Sequence, residues 1–152
     1  MKRLIYFIYL VLVILTMRSN ASACLCTQLD LREVNQWIQE PNRIFFSGTA
    51  LSIKEFKIPG RDGKPDMILA RLVTFKIDKS WKKIRNKVIK IGTGGGSGDC
   101  GFGFVKGEKY LVDATSEKNK FETDTCTATR KFSDSSEVIT ELNKWEKAQK
   151  HK

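Results

Sequence analysis

Histidine is almost missing: the one histidine among 152 residues is His151, next to last in a basic tail. A Ser-His-Asp type triad, a His-ligated zinc centre and a His general base are thereby left without their usual residue. There is no paired C-x₂-C knuckle to hold a four-cysteine zinc, and no Gly-Lys-Ser/Thr to end a phosphate loop. The run Gly92 to Gly98, with Gly96, Gly98 and Gly101 matching G-x-G-x-x-G, encloses Cys100 and leads into no helical pattern, so it reads as a flexible connector between strands. Asp99, Glu108, Asp113 and Asp124 fall in turns or strands, where solvation or turn bonding is the default. No residue set is left to carry an enzyme, and the chain is read as none. No apolar run reaches the roughly 20 residues of a membrane-spanning helix. Aromatics are not interleaved with the basic residues, which argues against nucleic-acid binding.

The chain does have a strong amino end. Lys2 and Arg3, the apolar run Leu4 to Met17 and the spacer Arg18-Ser19-Asn20 lead into Ala21-Ser22-Ala23, the pattern of a cleaved export signal over residues 1–23. Cleavage there makes Cys24 the first residue of a single domain, 24–152, that is secreted, extracellular or periplasmic. A lipidated Cys24 is the competing reading; Ala21 in place of the usual Leu and the polar spacer speak against it. Loss of Lys2, Arg3 and Arg18 lowers the formal charge from +10 to +7. The remaining lysines, including the tail from about residue 146, form a dispersed solvated face whose charge permits weak adhesion to acidic surfaces. The expected state is a monomer.

All four cysteines, Cys24, Cys26, Cys100 and Cys126, follow the cleavage point, and an even count in an oxidising compartment implies two disulfides. A direct Cys24–Cys26 bridge is disfavoured, because i and i+2 residues of an extended segment lie about 6 to 7 Å apart. Two long bridges remain, in either order.

Periodicity fills in the rest. Leu31, Val34, Trp37 and Ile38 predict a helix over 29–39, stopped by Pro41. Ile44 to Phe56 is a strand with Gly48 as a bulge or close-packing point. A turn at Pro59 to Gly63 leads into a strand whose inner positions are Met67, Leu69, Val73, Phe75 and Ile77. Further strands are expected at Lys87–Ile91, Lys109–Ala114 and around Phe121–Thr127. A last helix starts near Asp134, with Asp134 and Glu137 as a capping box and Val138, Ile139, Leu142 and Trp145 inside. The expected fold is mainly β: a five-stranded OB-type closed barrel with two flanking helices, stapled by disulfides.

Cys24-Leu25-Cys26, Phe46-Ser47-Gly48, Phe75-Lys76-Ile77 to Trp81-Lys82, Cys100-Gly101, Gly107-Glu108-Lys109-Tyr110-Leu111 and Cys126 follow one another over nearly the whole mature chain. In order and spacing they resemble the N-terminal domain of the tissue inhibitors of metalloproteinases, within the netrin-like modules. The resemblance implies an OB-type barrel, the pairing Cys24–Cys100 and Cys26–Cys126, and inhibition of a zinc metalloendopeptidase as partner. The amine and carbonyl of Cys24 would chelate the target's zinc. Leu25 would enter the specificity pocket, and Cys26, Thr27, Gly98 and Asp99 would touch the protease. No cofactor or metal of its own is implied. A secreted netrin-like adhesion or binding module without inhibitory activity is the alternative. The animal inhibitors differ in a third disulfide, and in a small hydroxyl residue and nearby proline where this chain has Leu25 and Thr27-Gln28.

Overall fold

The computed structural model describes residues 24, 26, 30–60, 64–82, 84, 86–96, 98–118 and 120–150. The expected signal segment, Leu25, Thr27, His151 and residues 61–63 of the expected turn lie outside them. The chain runs α1 (Leu31–Trp37), β1 (Arg43–Ile58), β2 (Met67–Ser80), β3 (Val88–Gly94), β4 (Lys109–Glu117), β5 (Lys120–Glu122), β6 (Arg130–Lys131), a 3₁₀ turn (Phe132–Asp134) and α2 (Ser136–Lys150). The protein is mainly β, with two helices and two disulfides.

Strand pairing closes on itself. β1 pairs with β2, β2 with β3, β3 with β5 in parallel, β5 with β4, and β4 with β1, giving a ring of five strands; the other four pairings are antiparallel. The two-residue β6 continues β4 beside Tyr110 and Leu111, a sixth strand that the sequence pattern did not predict. Alternation sends neighbouring apolar residues of one strand to opposite faces. Thus Phe46, Val73, Phe75, Ile91, Tyr110 and Val112 fill one core, while Phe45 and Leu111 join a second core with Val34, Ile38, Trp81, Val138 and Leu142. β1 is buried on both faces at its start because each face has its own core.

The first core is aromatic. Phe75 meets Phe46, Phe104 and Tyr110 edge to face, with ring centroids 5.6, 5.1 and 6.3 Å apart, a favoured geometry for aromatic pairs. Phe102 and Phe104 belong to the segment after Cys100, so this packing also seats that segment. Full burial of each such side chain contributes roughly 1.5 to 3 kcal/mol.

Both helices keep their predicted inner stripes but not their predicted ends. The side chain of Asp30 accepts from the Arg32 N–H at 2.8 Å, which fixes the start of α1 at Leu31, and Pro41 lies beyond its end at Trp37. At α2 the capping box does not form. The Asp134 carboxylate accepts from Ser133 Oγ at 2.7 Å, and a 3₁₀ turn takes up 132–134. Buried Ser135 supplies the first helical acceptor, taking Ile139 N–H at 2.9 Å.

One strand expectation holds and two change. Gly48 is the close-packing point expected: a Cβ there would lie 2.5 Å from the Lys76 carbonyl oxygen, beside a register shift between Ser47 and Gly48. Met67 and Leu69, predicted on the inner stripe, are 50% and 51% exposed, because β2 continues past the last residue paired with β3, Ala70. The glycine run is no flexible connector. Gly92 to Gly94 complete β3, and a Cβ on Gly95 would lie 1.9 Å from the Ile68 carbonyl oxygen. Gly95 is there because two backbones approach closely, and Gly94 because the Asp99 carboxylate lies where its Cβ would be, neither of which a local pattern announces.

Candidate functional site

The candidate site is the pair of bridges at the amino end. Cys24 joins Cys100 and Cys26 joins Cys126, the pairing the family resemblance implies, with Cα separations of 5.5 and 5.0 Å. All four cysteines are bridged, so no four-thiolate metal centre exists, and two disulfides point to an oxidising environment. Among the described residues no cluster of three or more His, Cys, Asp or Glu side chains is placed to hold a metal ion. No helix among them is long and apolar enough to cross a membrane.

The loop that receives Cys24 is wound around one carboxylate. Asp99 accepts from the N–H groups of Gly95 at 2.6 Å, Gly96 at 2.8 Å and Gly101 at 3.2 Å. These N–H groups, Gly96 first, hold its carboxyl below the usual carboxylate range. Gly96 and Gly98 take φ of 92° and 94°, and Cys100 itself takes 58°, a left-handed conformation that costs a non-glycine residue about 1 to 2 kcal/mol. The Asp99 bonds and the Phe102 and Phe104 packing hold it there. A Cβ on Gly101 would lie 2.1 Å from the Gly94 carbonyl oxygen, so that position too is closed to side chains.

The loop that receives Cys26 is built from threonine and aspartate. Asp124 accepts from Cys126 N–H at 2.8 Å, and its carbonyl takes the Thr127 hydroxyl at 2.9 Å. Thr123 and Thr129 donate to the Asp113 carbonyl oxygen at 2.7 and 3.0 Å. These side-chain bonds compete with a ladder, and so β5 stops at Glu122 where the alternation predicted a strand to Thr127. The two loops are joined directly: Thr125 N–H donates to the Cys100 carbonyl oxygen at 2.9 Å. Gly98, Asp99, Thr125, Cys126 and Cys26 form an exposed ridge, flanked by a cavity of about 290 Å³ lined by Cys26, Thr127, Arg130 and Asp134 among others. The ridge brings together Cys24, Cys26, Gly98 and Asp99; Leu25 and Thr27 lie outside the described residues.

Sequence reasoning missed what stands beneath the ridge. Asp113, read as solvated, is fully buried: its carboxylate takes Arg43 Nε and Nη2 at 2.7 Å each and Ala128 N–H at 2.9 Å. Burial pushes its carboxyl up, and the Arg43 bonds only partly reverse this. Burial also works against the Arg43 charge, but there Asp113 prevails and the guanidinium sits above its usual value. The available signal was the alternation Thr123, Thr125, Thr127, Thr129 around Cys126. Asp113→Ala is expected to cost about 3 to 5 kcal/mol in urea unfolding, because Arg43 stays buried with Glu40 at 3.6 Å as the one carboxylate left to it among the described residues and the Trp37 ring at 4.0 Å. A loss under about 1 kcal/mol would show that the pair does not hold the loop.

Compared with protein-family models and with curated proteins, the chain matches none.

Proposed function

We propose that this protein is an exported inhibitor of zinc metalloendopeptidases, an OB-type closed barrel similar to the N-terminal domain of the tissue inhibitors of metalloproteinases. The observation that carries the reading is the mounting of the amino end. Two cysteines separated by one residue are each bridged to a loop, and the Thr125–Cys100 bond ties those loops together. The ring of five strands with helices outside supports the barrel.

A mature chain beginning at Cys24 offers two ligands, its α-amino nitrogen and its carbonyl oxygen, which with Cα, the carbonyl carbon and a zinc ion close a five-membered chelate ring. A catalytic zinc keeps one coordination position open for water or substrate and can expand to five-coordinate, which lets both atoms of the chelate bind in place of the water. Leu25, lying between the anchored cysteines, fills the apolar pocket beside the metal, a burial worth roughly 1.5 to 3 kcal/mol. The bridges have ordered the wedge in advance, so little conformational entropy is lost on binding.

The amine binds zinc only when unprotonated, and an α-amino group titrates near 7.7 to 8.0. Protein starting at Cys24 is therefore expected to inhibit members of a panel of zinc endopeptidases. Its affinity should fall roughly fortyfold between pH 8 and pH 6, relative to an inhibitor without an amine. No inhibition across the panel overturns the reading and leaves a netrin-like binding module. Inhibition without the relative pH dependence overturns the chelate alone.

A further inference from the structure

The ladder registers set the end of one hairpin apart from the rest of the molecule. β1 pairs with β4 only from Arg43 to Thr49, and β2 with β3 only from Ala70 to Lys76. Beyond those limits the pairs Lys57–Ile68 and Ile58–Met67 have no third strand beside them. Two-stranded ribbons are marginal by themselves, so this end leans on the ring behind it. Its large side chains are nonetheless apolar and half exposed: Phe56 at 44%, Ile58 at 41%, Met67 at 50% and Leu69 at 51%. Met67 stands opposite Ile58, and Phe56 lies one step beyond a register shift that falls between Phe56 and Lys57. Pro59, Gly60 and Pro65 complete an open apolar trough of about 750 Å³ with Ile58, Lys64 and Met67. An exposed apolar crest of this kind contributes nothing to the cores and marks a contact surface.

The charges around it select the contact. Lys54 and Lys64 border the crest, Lys54 Nζ lying 5.2 Å from the Phe56 ring centroid and Lys64 lining the trough. Among the described residues, the nearby carboxylates Glu55 and Asp66 are turned onto the hairpin itself. Glu55 is held by Lys57 and Arg71, both at 3.1 Å, and Asp66 accepts from Gly60 N–H at 3.2 Å. Lys54 and Lys64 have no carboxylate within 4.0 Å among the described residues. We infer that the β1–β2 hairpin tip docks on an anionic lipid surface, the apolar crest entering the headgroup boundary while the lysines meet lipid phosphates. Apolar burial and basic charge are the two signals that together give stable interfacial binding, and the net positive charge left after Lys2, Arg3 and Arg18 are removed adds a long-range attraction. A second copy fits less well, because a two-fold contact through the tip would set these lysines against their own copies. The inference is independent of the inhibitory reading.

The test is sedimentation of the bridged mature protein with vesicles of phosphatidylcholine containing about a third phosphatidylglycerol, against phosphatidylcholine alone. Partition into the anionic vesicles only is expected. Lys54→Gln and Lys64→Gln should each lower it about fivefold, and Ile58→Ser with Met67→Ser about tenfold or more. These positions are exposed, so thermal midpoints should stay put and a lost signal cannot be blamed on unfolding. Equal partition into both vesicle types, or undiminished binding by the apolar double variant, overturns the inference. So does self-association that Ile58→Ser with Met67→Ser abolishes, which would assign the crest to a second copy. Binding to a purified acidic protein but to no vesicle would assign it to a protein partner and overturn it equally.

Discussion

One alanine added ahead of Cys24 is expected to weaken inhibition by at least about a thousandfold, corresponding to roughly 4 kcal/mol, without altering the fold. The extension converts the Cys24 amine into a peptide nitrogen, whose lone pair is delocalised into the carbonyl and is no zinc ligand. It also places a residue against the metal, where the chelating amine has to sit. Nothing in either core changes, since Cys24 and Cys26 keep their bridges and both clusters are built from residues 31 to 145. Thermal midpoint and inhibition should therefore separate completely. Measuring both on the same two preparations checks it: equal potency removes the chelate, and a shared loss of stability would mean the extension disturbs the bridges instead.

The parts of this molecule that were legible in the sequence are those governed by local period. α1 and α2 announce their inner faces by 3.6-residue spacing, and Val34, Ile38, Val138 and Leu142 are fully buried where the stripes placed them. Gly48 was legible because a lone glycine within a strand pattern has few other uses. What failed depends on partners far along the chain. Asp113 is buried because Arg43, seventy residues earlier, reaches it with two nitrogens. Gly95 is required by Ile68 on another strand, while Gly101 is required by Gly94 across a loop whose path the local pattern does not show. The threonines around Cys126 share the period of a strand, yet their hydroxyls bond to Asp113 and to one another, and the alternation misleads for that reason. The candidate ridge was legible as four cysteines; its foundation was not.

Removing the second bridge with Cys26→Ser and Cys126→Ser should lower stability by about 4 to 5 kcal/mol, read from urea unfolding. It closes a separation of 100 residues and the other bridge 76, and loop entropy grows so slowly with length that their contributions differ by only a few tenths of a kcal/mol. Stability alone cannot then tell the two bridges apart, but the loops can. Without Cys26–Cys126 the 123–129 segment keeps its bonds to Asp113, and Thr125 keeps its bond to the Cys100 carbonyl. The Thr125 amide should stay protected from hydrogen exchange while inhibition falls, because Cys24 is then held at one point and swings about it. A loss under about 1 kcal/mol would mean the unfolded chain is already compact, and loss of Thr125 protection would mean the bridge builds the loop and does not merely use it. Opening both bridges removes on the order of 9 kcal/mol if the two add, within the whole 5 to 15 kcal/mol typical of a domain. A reducing compartment would thus endanger the fold itself, and the ridge is a structure that only an oxidising one sustains.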